Sequence, residues 1–481
     1  MNDLLRADRA RARVGLFGIG LAAYWPQFDG LRERLEGYQR RLEQRLLGLG
    51  VEVVSAGLVD TPQAARVAGD LLAASPIDML LLYTATYATS AQVLPAVQAA
   101  KVPVVILNLQ PTRSLDYETM TTAEWLANCS ACCVPELAGA FARARLPYVT
   151  VTGTLDDERA WGMIRDWVDA AGAVRSLRRA RIGFLGHTYP GMLDMYSDFT
   201  QVQAQTGAHV EVLEIDDLVA RVESASDEEI ERKGEQIRAL FDLADPGLDP
   251  LADAITPERF GWSARVAVGL DRLVADFELD GLTYYYRGGA GAISERVAAG
   301  LIVGNSLLTA RGIPASGEGD LKTNIAMLLL DRLEAGGSYT EFYALDFDEA
   351  FVLMGHDGPG HIAIADGRPL VRALKLYHGK AGAGLSVEFK VRLGPVTILC
   401  LSQTAEGNLK LIAAEGESIP GPTFRIGNTN SRIRFASAPA PFMDAWCAEG
   451  PTHHVALGVG HQLRRLRNVA NLLGLELAEV S

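Results

Sequence analysis

Ligand-type side chains are concentrated in the second half of the chain, beginning at Glu318. In "IPASGEGDLKT" this glutamate stands between two glycines, after an apolar strand and before a helix. Flanking glycines let a carboxylate project from a sharp turn, and the carboxyl ends of strands in α/β sheets are where ligands bind. Asp320, at the start of the helix, is expected to act as its cap.

A second segment, "SYTEFYALDFDEAFVLMGHDGPGH", follows closely and adds further ligand types. Asp348 and Glu349 are expected to be solvated turn charges. At most one of its two histidines is expected to face a metal ion, because they flank the turn sequence "DGPG". Asp346 and His361 are each expected either to support a neighbouring metal ligand or to be an alternative ligand. The segment's ligand-type residues are Glu341, Asp346, Asp348, Glu349, His356 and His361.

Two adjacent histidines, His453 and His454, follow a Gly-Pro-Thr bend in "EGPTHHVALGVGH". In the two preceding segments, two carboxylates with two neutral imidazoles form the mixed oxygen and nitrogen set expected of Mn²⁺, Co²⁺ or a similar divalent cation, with positions left for substrate oxygens. A zinc site made only of cysteines is excluded for want of suitable cysteines. His209 and His378 are expected to be structural or at the surface.

Composition and charge indicate a globular protein of several domains. A chain of 481 residues is long for one hydrophobic core, so two or three domains are expected. The net charge of −14 argues against a nucleic-acid partner, because phosphates are neutralised by clustered basic side chains. No apolar run approaches the roughly 20 residues of a membrane span, and no signal peptide is expected. We expect a cytoplasmic protein that binds a small neutral molecule and no membrane.

The five cysteines do not suggest a disulfide framework. Cys129 and Cys132 have the spacing of a half zinc site or a redox pair, but no second half follows. The surrounding "WLANCSACCVPELAGAFARA" is interpreted as one helix that packs small residues, and the thiols as buried core groups.

The elements that would position these residues fall into three regions. Short apolar strands alternate with helices over 1–175 and again over 176–325, which predicts two doubly wound, Rossmann-like parallel-sheet domains. Over 326–481, strands such as "HIAIADG" and a hairpin at "AEGN" predict a β-rich antiparallel or barrel-like domain, closed by a last helix in "QLRRLRNVANLLGL". The fold class is therefore α/β with a β-rich C-terminal domain.

The first strand ends in a glycine-rich turn, Gly18-x-Gly20-x-x-Ala23, close to a dinucleotide-binding fingerprint. The second strand is interpreted as ending at Ser55-Ala56-Gly57, without the acidic residue that would hold a ribose. Pro26 also stands where the phosphate-binding helix should run. We interpret the turn as a strand-to-loop connection, and an NAD-dependent oxidoreductase is the less favoured alternative.

Four segments resemble the L-arabinose isomerase family, which is distantly similar to L-fucose isomerase. "GEGDLKT" matches the family's Gly-Glu-Gly-Asp-x-Lys-Thr, and "SYTE" resembles its Ser-Phe-Met-Glu. "VLMGH" resembles Val-Leu-Gly-x-His, and "AWCAEGPTHHVAL" resembles Ala-Trp-x-x-x-Gly-Gly-x-His-His. The chain has "GIGLAAYWPQF" where the arabinose enzymes have Gly-Ser-Gln-x-x-Tyr-Gly, so it is interpreted as a divergent member. The resemblance implies that the metal ligands are Glu318, Glu341, His356 and His454.

The resemblance implies an aldose–ketose isomerase that uses Mn²⁺ or Co²⁺. Glu318 and Glu341 would serve as base and acid on either side of the C1–C2 bond of an open-chain sugar, through an enediol. The sugar is expected to be similar to L-arabinose or L-fucose. A catalytically inactive sugar- or polyol-binding protein of the same fold is the alternative.

Further residues are weaker candidates for substrate contact. His453 would either point elsewhere or hydrogen-bond the sugar beside its metal-binding neighbour, and His187 follows a strand end. Trp25, Gln27 and Tyr87 also stand at strand ends, and aromatic faces suit sugar C–H groups. The resemblance implies a homo-oligomer, a hexamer in the related isomerases, in which the first domain reaches a neighbouring subunit's site.

Overall fold

The computed structural model describes residues 11–286, 289, 291–374 and 384–481. The chain divides into two compact units, of which the first ends at Arg175 and the second begins at Ser176. A boundary within the second unit near residue 325 stays a prediction. Among the described helices, none combines the length and the apolar character that a membrane crossing requires.

The first unit is built on a parallel five-stranded sheet with the strand order β2-β1-β3-β4-β5. All five residues of β3 are buried, as expected of a strand covered by helices on both faces. The strands are β1 (Arg13–Ile19), β2 (Glu52–Val59), β3 (Met79–Tyr83), β4 (Val104–Gln110) and β5 (Tyr148–Thr154). The helices are α1 (Leu31–Leu47), α2 (Pro62–Ala74), α3 (Leu94–Ala100), α4 (Thr122–Leu126), α5 (Cys133–Arg143) and α6 (Glu158–Arg179), of which the last four residues belong to the second unit.

The second strand runs further than its sequence suggested. A register shift between β1 and β2 accommodates Gly57, whose φ is +71°, and the strand continues to Val59. The expected end at Ser55-Ala56-Gly57 was therefore wrong, because a β-bulge absorbs the glycine without ending the strand. The next residue, Asp60, accepts a hydrogen bond from the Trp25 indole (2.7 Å), and α1 begins only at Leu31.

The cysteine-rich segment forms two helices and not the single helix expected. A turn over residues 127–132 separates α4 from α5. Pro135 lies in the first turn of α5, where a proline needs no hydrogen-bond partner, whereas it would break a continuous helix. Cys129 and Cys133 are buried, as expected, but Cys132 is exposed.

The second unit contains another parallel sheet, with the strand order β11-β10-β6-β7. Its strands are β6 (Arg181–Gly186), β7 (His209–Leu213), β10 (Gly281–Tyr285) and β11 (Ala315–Ser316). The helices around it are α7 (Phe199–Thr206), α8 (Ile215–Glu223), α9 (Asp227–Leu240), α10 (Pro257–Asp276), α11 (Ile293–Ala299), α12 (Leu301–Ala310) and α13 (Leu321–Arg332). Residues 321–331 of α13 are all buried, so this helix lies in the core of the unit.

Six antiparallel strands close a barrel in the order β16-β19-β12-β13-β18-β17, with β17 pairing back to β16. These strands are β12 (Gly336–Asp346), β13 (Phe351–His356), β16 (Gly394–Gln403), β17 (Leu409–Ile419), β18 (Thr429–Phe435) and β19 (His454–Val459). Two helices accompany it, α14 (Pro439–Ala448) and α15 (Leu463–Leu473). The predicted fold class, parallel α/β sheets followed by a β-rich barrel-like region, is confirmed.

A small fourth sheet and the end of the chain refine the expected β-rich region. The small sheet contains β8 (Asp242–Leu243), β9 (Ala252–Asp253), β14 (Leu370–Leu374) and β15 (Leu385–Glu388). The "AEGN" hairpin joins β16 to β17, with Gln403 opposite Leu409. "HIAIADG" contains a short 3-10 turn and not the expected strand. The last helix is followed by β20 (Glu476–Glu479), which pairs parallel to β17.

Candidate active site and metal centre

The register of three neighbouring barrel strands brings together residues that are distant in sequence. Glu341 in β12 lies opposite His454, the first residue of β19, and opposite Gly355 of β13. Directly opposite residues of antiparallel strands have their Cβ atoms about 5 Å apart. His356 ends β13, one residue beyond Gly355. Strand pairing therefore gathers Glu341, His356 and His454 at one side of the barrel.

Glu318 reaches the same place from the turn between β11 and α13. Its φ is +63°, a left-handed conformation that residues other than glycine rarely adopt. Gly319 follows with a φ of +70°, and a Cβ there would lie 2.5 Å from the carbonyl oxygen of His187. The turn is thus held against the loop after β6, and its strain is typical of a functional site.

His454 is held in one orientation by buried polar groups. Its Nδ1 lies 3.0 Å from Oδ2 of Asp320 and 2.7 Å from the hydroxyl of Tyr339. Asp320 also caps α13, since its carboxylate accepts hydrogen bonds from the backbone and hydroxyl of Thr323. With Nδ1 engaged, Nε2 lies 3.4 Å from Oε2 of Glu318. This arrangement leaves Nε2 available as a ligand atom.

The His356 ring packs beside the same tyrosine, with its centroid 4.5 Å from that of Tyr339 and 5.1 Å from that of His454. Tyr339 precedes Glu341 by two positions on β12, which places both side chains on one face of the strand. A cleft of about 350 Å³ opens in front of these groups. It is lined by Glu318, Glu341, Tyr343, His356, Asp357, Phe424, Ile426 and Asn428.

Two overlapping groups of side chains have the geometry to hold a cation. In one group, ligand atoms of Glu341, His356 and His454 all lie within 4.8 Å of one another. In the other group, ligand atoms of Glu318, His453 and His454 also all lie within 4.8 Å of one another. All four predicted ligands occur across the two groups, with His454 common to both.

Burial raises the pKa values of Glu318 and Glu341 above those of exposed glutamates. Oε2 of Glu318 is buried and accepts no hydrogen bond within the described ranges. Burial works to lower the pKa of His454, but Asp320 and the nearby glutamates outweigh it and raise that pKa. Burial likewise opposes ionisation of Asp320, whose pKa is nevertheless lowered by its hydrogen bond with His454. Oxygen and nitrogen donors with uncompensated negative charge suit a divalent cation.

The two alternative ligands lie in different surroundings. Asp346 accepts a hydrogen bond from the backbone N–H of Glu349 (2.8 Å), in the turn between β12 and β13. His361 is buried, with Nε2 3.5 Å from Oδ1 of Asp331 near the end of α13. Neither belongs to the two metal-capable groups found among the described residues.

The remaining site candidates have local contacts of their own. His453 donates its backbone N–H to Asp194, and its ring also contacts that carboxylate. His187 is exposed and packs edge-on against Tyr285, with ring centroids 5.1 Å apart. His209 is exposed on β7, and His378 lies outside the described residues.

The first-domain candidates lie in the other compact unit. Trp25 donates to Asp60, and Gln27 is exposed and donates to the carbonyl of Ala23 (2.7 Å). Tyr87 is half-buried and packs on the core of the first sheet. Their proposed contact with substrate stays a prediction.

Sequence reasoning missed three polar residues of the site. Tyr339 could have been found from its period-two spacing with Glu341 on a strand. Asp320 was identified only as a helix cap, although a carboxylate that caps a helix can also hold a histidine. Asp194 carries no sequence signal, because it lies in an irregular loop and meets His453 only through the fold.

Comparisons with known proteins agree with the resemblance of the motifs. A family model described as the L-arabinose isomerase C-terminal domain matches residues 336–476. An L-arabinose isomerase from Nocardioides sp. is 25% identical over 443 residues, covering 90% of this chain and 86% of that protein. The L-arabinose isomerase of Acidothermus cellulolyticus is 24% identical, covering 89% of this chain and 86% of its own.

More distant proteins also match. A sulfoquinovose isomerase from Alkalicoccus urumqiensis is 22% identical over 346 residues, covering 69% of this chain and 72% of that protein. Among solved structures, an ABC transporter solute-binding protein from Agrobacterium vitis covers 64% of this chain and 93% of its own, at 14% identity and a TM-score of 0.17. From the family model and the curated relatives together, the chain is similar to L-arabinose isomerases, which are aldose–ketose isomerases, over most of its length, and residues 336–476 match their C-terminal domain.

Proposed function

We propose that this protein is a metal-dependent aldose–ketose isomerase that acts on an open-chain sugar similar to L-arabinose or L-fucose. One observation carries the proposal. Glu318 and Glu341 line a single cleft together with His356, and His454 lies within ligand distance of members of this set. Isomerisation needs a base and an acid near C1 and C2, and two carboxylates at one cleft can supply both.

The donor set fits a divalent ion such as Mn²⁺ or Co²⁺. Glu318, Glu341, His356 and His454 would hold it, and the buried Oε2 of Glu318 supports this assignment, since it lacks a hydrogen-bond donor among the described residues. Asp320 would keep Nδ1 of His454 protonated, so that Nε2 remains the coordinating nitrogen. A bound divalent ion supplies Lewis acidity, which polarises the sugar carbonyl.

The two glutamates would move the protons of the reaction. One carboxylate takes the proton from C2 of the aldose, which gives an enediol, and returns a proton to C1. The hydroxyl proton passes from O2 to O1, so the sugar is isomerised with no net gain or loss of protons. Burial makes both carboxylates stronger bases than exposed glutamates, because it disfavours their charged forms.

The proposal includes a homo-oligomer, with a hexamer as the expected state. Trp25, Gln27 and Tyr87 would then contact the sugar in a neighbouring subunit's cleft. Sedimentation velocity on the purified chain measures the assembly. A Trp25→Ala variant that raises KM without changing the assembly would support the contact.

The decisive experiment is a screen of aldoses for ketose formation, in the presence of Mn²⁺ and in deuterated water. The proposal predicts turnover with solvent deuterium at C1 of the ketose, whereas a direct hydride shift would leave the product unlabelled. Glu318→Gln and His454→Ala should each lose at least about 100-fold in kcat/KM. Asp348→Asn is the matched control, because Asp348 is an exposed carboxylate in the β12–β13 turn.

Two outcomes would contradict the proposal. Wild-type activity in Glu318→Gln would remove that residue's catalytic assignment. Binding of Mn²⁺ and sugar by the wild-type protein, without any ketose, would instead favour the inactive sugar-binding alternative.

A further inference from the structure

The loop that follows β6 is fastened to the candidate site at three points. The backbone N–H of Tyr189 donates to the carbonyl of Glu318 (2.8 Å). The buried amine of Lys322 donates to the carbonyl of Tyr196 (2.8 Å). Between Tyr189 and Tyr196 in the sequence, Asp194 forms a hydrogen bond with His453. The loop is therefore held in place by the backbone of Glu318, a proposed ligand, and by two residues close to proposed ligands in sequence, Lys322 and His453.

Asp194 makes two hydrogen bonds to one histidine. Its Oδ2 accepts from the backbone N–H of His453 (2.9 Å) and lies 2.6 Å from Nδ1 of the same residue. Partial burial works to raise the pKa of Asp194, but these two contacts outweigh it and lower that pKa. An ionised carboxylate beside Nδ1 makes that nitrogen the protonated one, as a donor.

The contact with Asp194 also determines the role of the other ring nitrogen of His453, Nε2. With Nδ1–H donating to Asp194, Nε2 of His453 keeps its lone pair as a hydrogen-bond acceptor. One ring nitrogen of His453 lies within 4.8 Å of a carboxylate oxygen of Glu318 and of a ring nitrogen of His454. Since Nδ1 is engaged by Asp194, Nε2 is the ring nitrogen left to accept a hydrogen bond from a ligand, and the His453 ring lies beside these groups.

We propose that Asp194 is a positioning residue, which fixes the tautomer and orientation of His453 so that Nε2 accepts a hydrogen bond from a hydroxyl group of the open-chain sugar. The inference rests on the proposed isomerase function for the identity of the ligand. The Asp194–His453 contact itself is observed and does not depend on that function. In this arrangement His453 binds substrate and His454 binds the metal ion, which explains why the two histidines are adjacent.

Steady-state kinetics with Asp194→Asn and Asp194→Ala test the substrate contact. Loss of a group that orients a binding residue should raise KM by about 10- to 100-fold and change kcat less than about threefold. Asp198→Asn is the matched control, because Asp198 is an exposed acid of the same segment that caps α7 and does not contact His453. An unchanged KM in both Asp194 variants would overturn the proposal.

A double-mutant cycle separates positioning from general damage to the loop. Once His453→Gln has removed the imidazole, adding Asp194→Asn should have no further effect on KM. Additive effects would mean that Asp194 acts through something other than His453. A loss of Mn²⁺ affinity in Asp194→Asn, measured by calorimetry, would also contradict the proposal, because it would make His453 a metal ligand.

Selective ¹⁵N-histidine labelling provides a readout that does not depend on turnover. His453, assigned by its loss in His453→Gln, should show a protonated Nδ1 and an unprotonated Nε2 in the wild type, and a mixture of tautomers in Asp194→Ala. If no aldose is turned over, the isomerase function fails while this spectrum still decides the role of Asp194. The same tautomer in Asp194→Ala as in the wild type would overturn the positioning role.

Discussion

Oδ2 of Asp320 lies 3.0 Å from Nδ1 of His454, and the two side chains are buried together although 134 residues separate them in sequence. The same carboxylate caps α13, the helix buried in the core of the second unit. The orientation of His454 is thus tied to a helix end that cannot shift without disturbing the core. This contact connects the Gly-Glu-Gly-Asp turn to His454, the first residue of β19.

Asp320→Asn should lower Mn²⁺ affinity by about 10- to 100-fold, because partners that orient a ligating histidine have effects of that size. Asparagine retains helix capping, so the variant should remain folded. Isothermal titration calorimetry measures the affinity, and circular dichroism checks the fold. An affinity equal to that of the wild type would show that the contact does not serve metal binding.

Glu318→Gly should stabilise the protein while abolishing activity. Glu318 has a φ of +63°, and glycine at this position relieves about 1 kcal/mol of backbone strain. The substitution also removes a buried carboxylate. Thermal unfolding without added metal should show a higher Tm. The matched control is Glu334→Gly, since Glu334 is exposed and has a φ of +66°.

The Glu334→Gly control should gain a similar increment in Tm and keep full activity. Backbone strain would then be present at both positions, but activity would depend only on the residue at Glu318. A lower Tm for Glu318→Gly than for the wild type would contradict the assignment of strain to this turn.

Cysteine reactivity should divide the five thiols into two classes. Burial raises the pKa of Cys129 and of Cys133 to about 12 and that of Cys400 to about 11, whereas Cys132 and Cys447 are exposed. Iodoacetamide at about pH 8 should therefore modify only the two exposed thiols in the folded protein, because the thiolate is the nucleophile. Mass spectrometry of native and unfolded samples identifies the labelled positions. Rapid labelling of Cys133 in the native state would contradict its burial.

Metal binding should weaken as the pH falls. The pKa values of Glu318, Glu341 and His454 are all raised in the metal-free protein, so these groups hold protons at higher pH than exposed groups of their type. A cation needs all three deprotonated, so binding releases protons, and more of them at about pH 6 than at about pH 8. Calorimetry in two buffers of different ionisation enthalpy measures the release. Glu341→Gln should release fewer protons, and buffer-independent heats at the lower pH would contradict the prediction.

Local patterns were sufficient for most of the architecture. The alternation of apolar strands and helices predicted the parallel sheets, and "AEGN" predicted the β16–β17 hairpin. Expectations failed where a distant contact overrides a local signal. Gly57 was expected to end β2, but the bulge against β1 lets the strand continue. The helix expected across the cysteines is interrupted, because a continuous helix cannot accommodate Pro135.

The sequence by itself determined which ligand types this protein has and the sharp turn that presents Glu318, since residues a few positions apart control local conformation. Only the tertiary structure decided how these side chains meet. Glu341 lies opposite His454 because of the register of the closed barrel, and Asp194 reaches His453 across 259 positions through a loop anchored at the site. Such contacts depend on packing and strand pairing over the whole unit, which the spacing of residues along a chain does not specify.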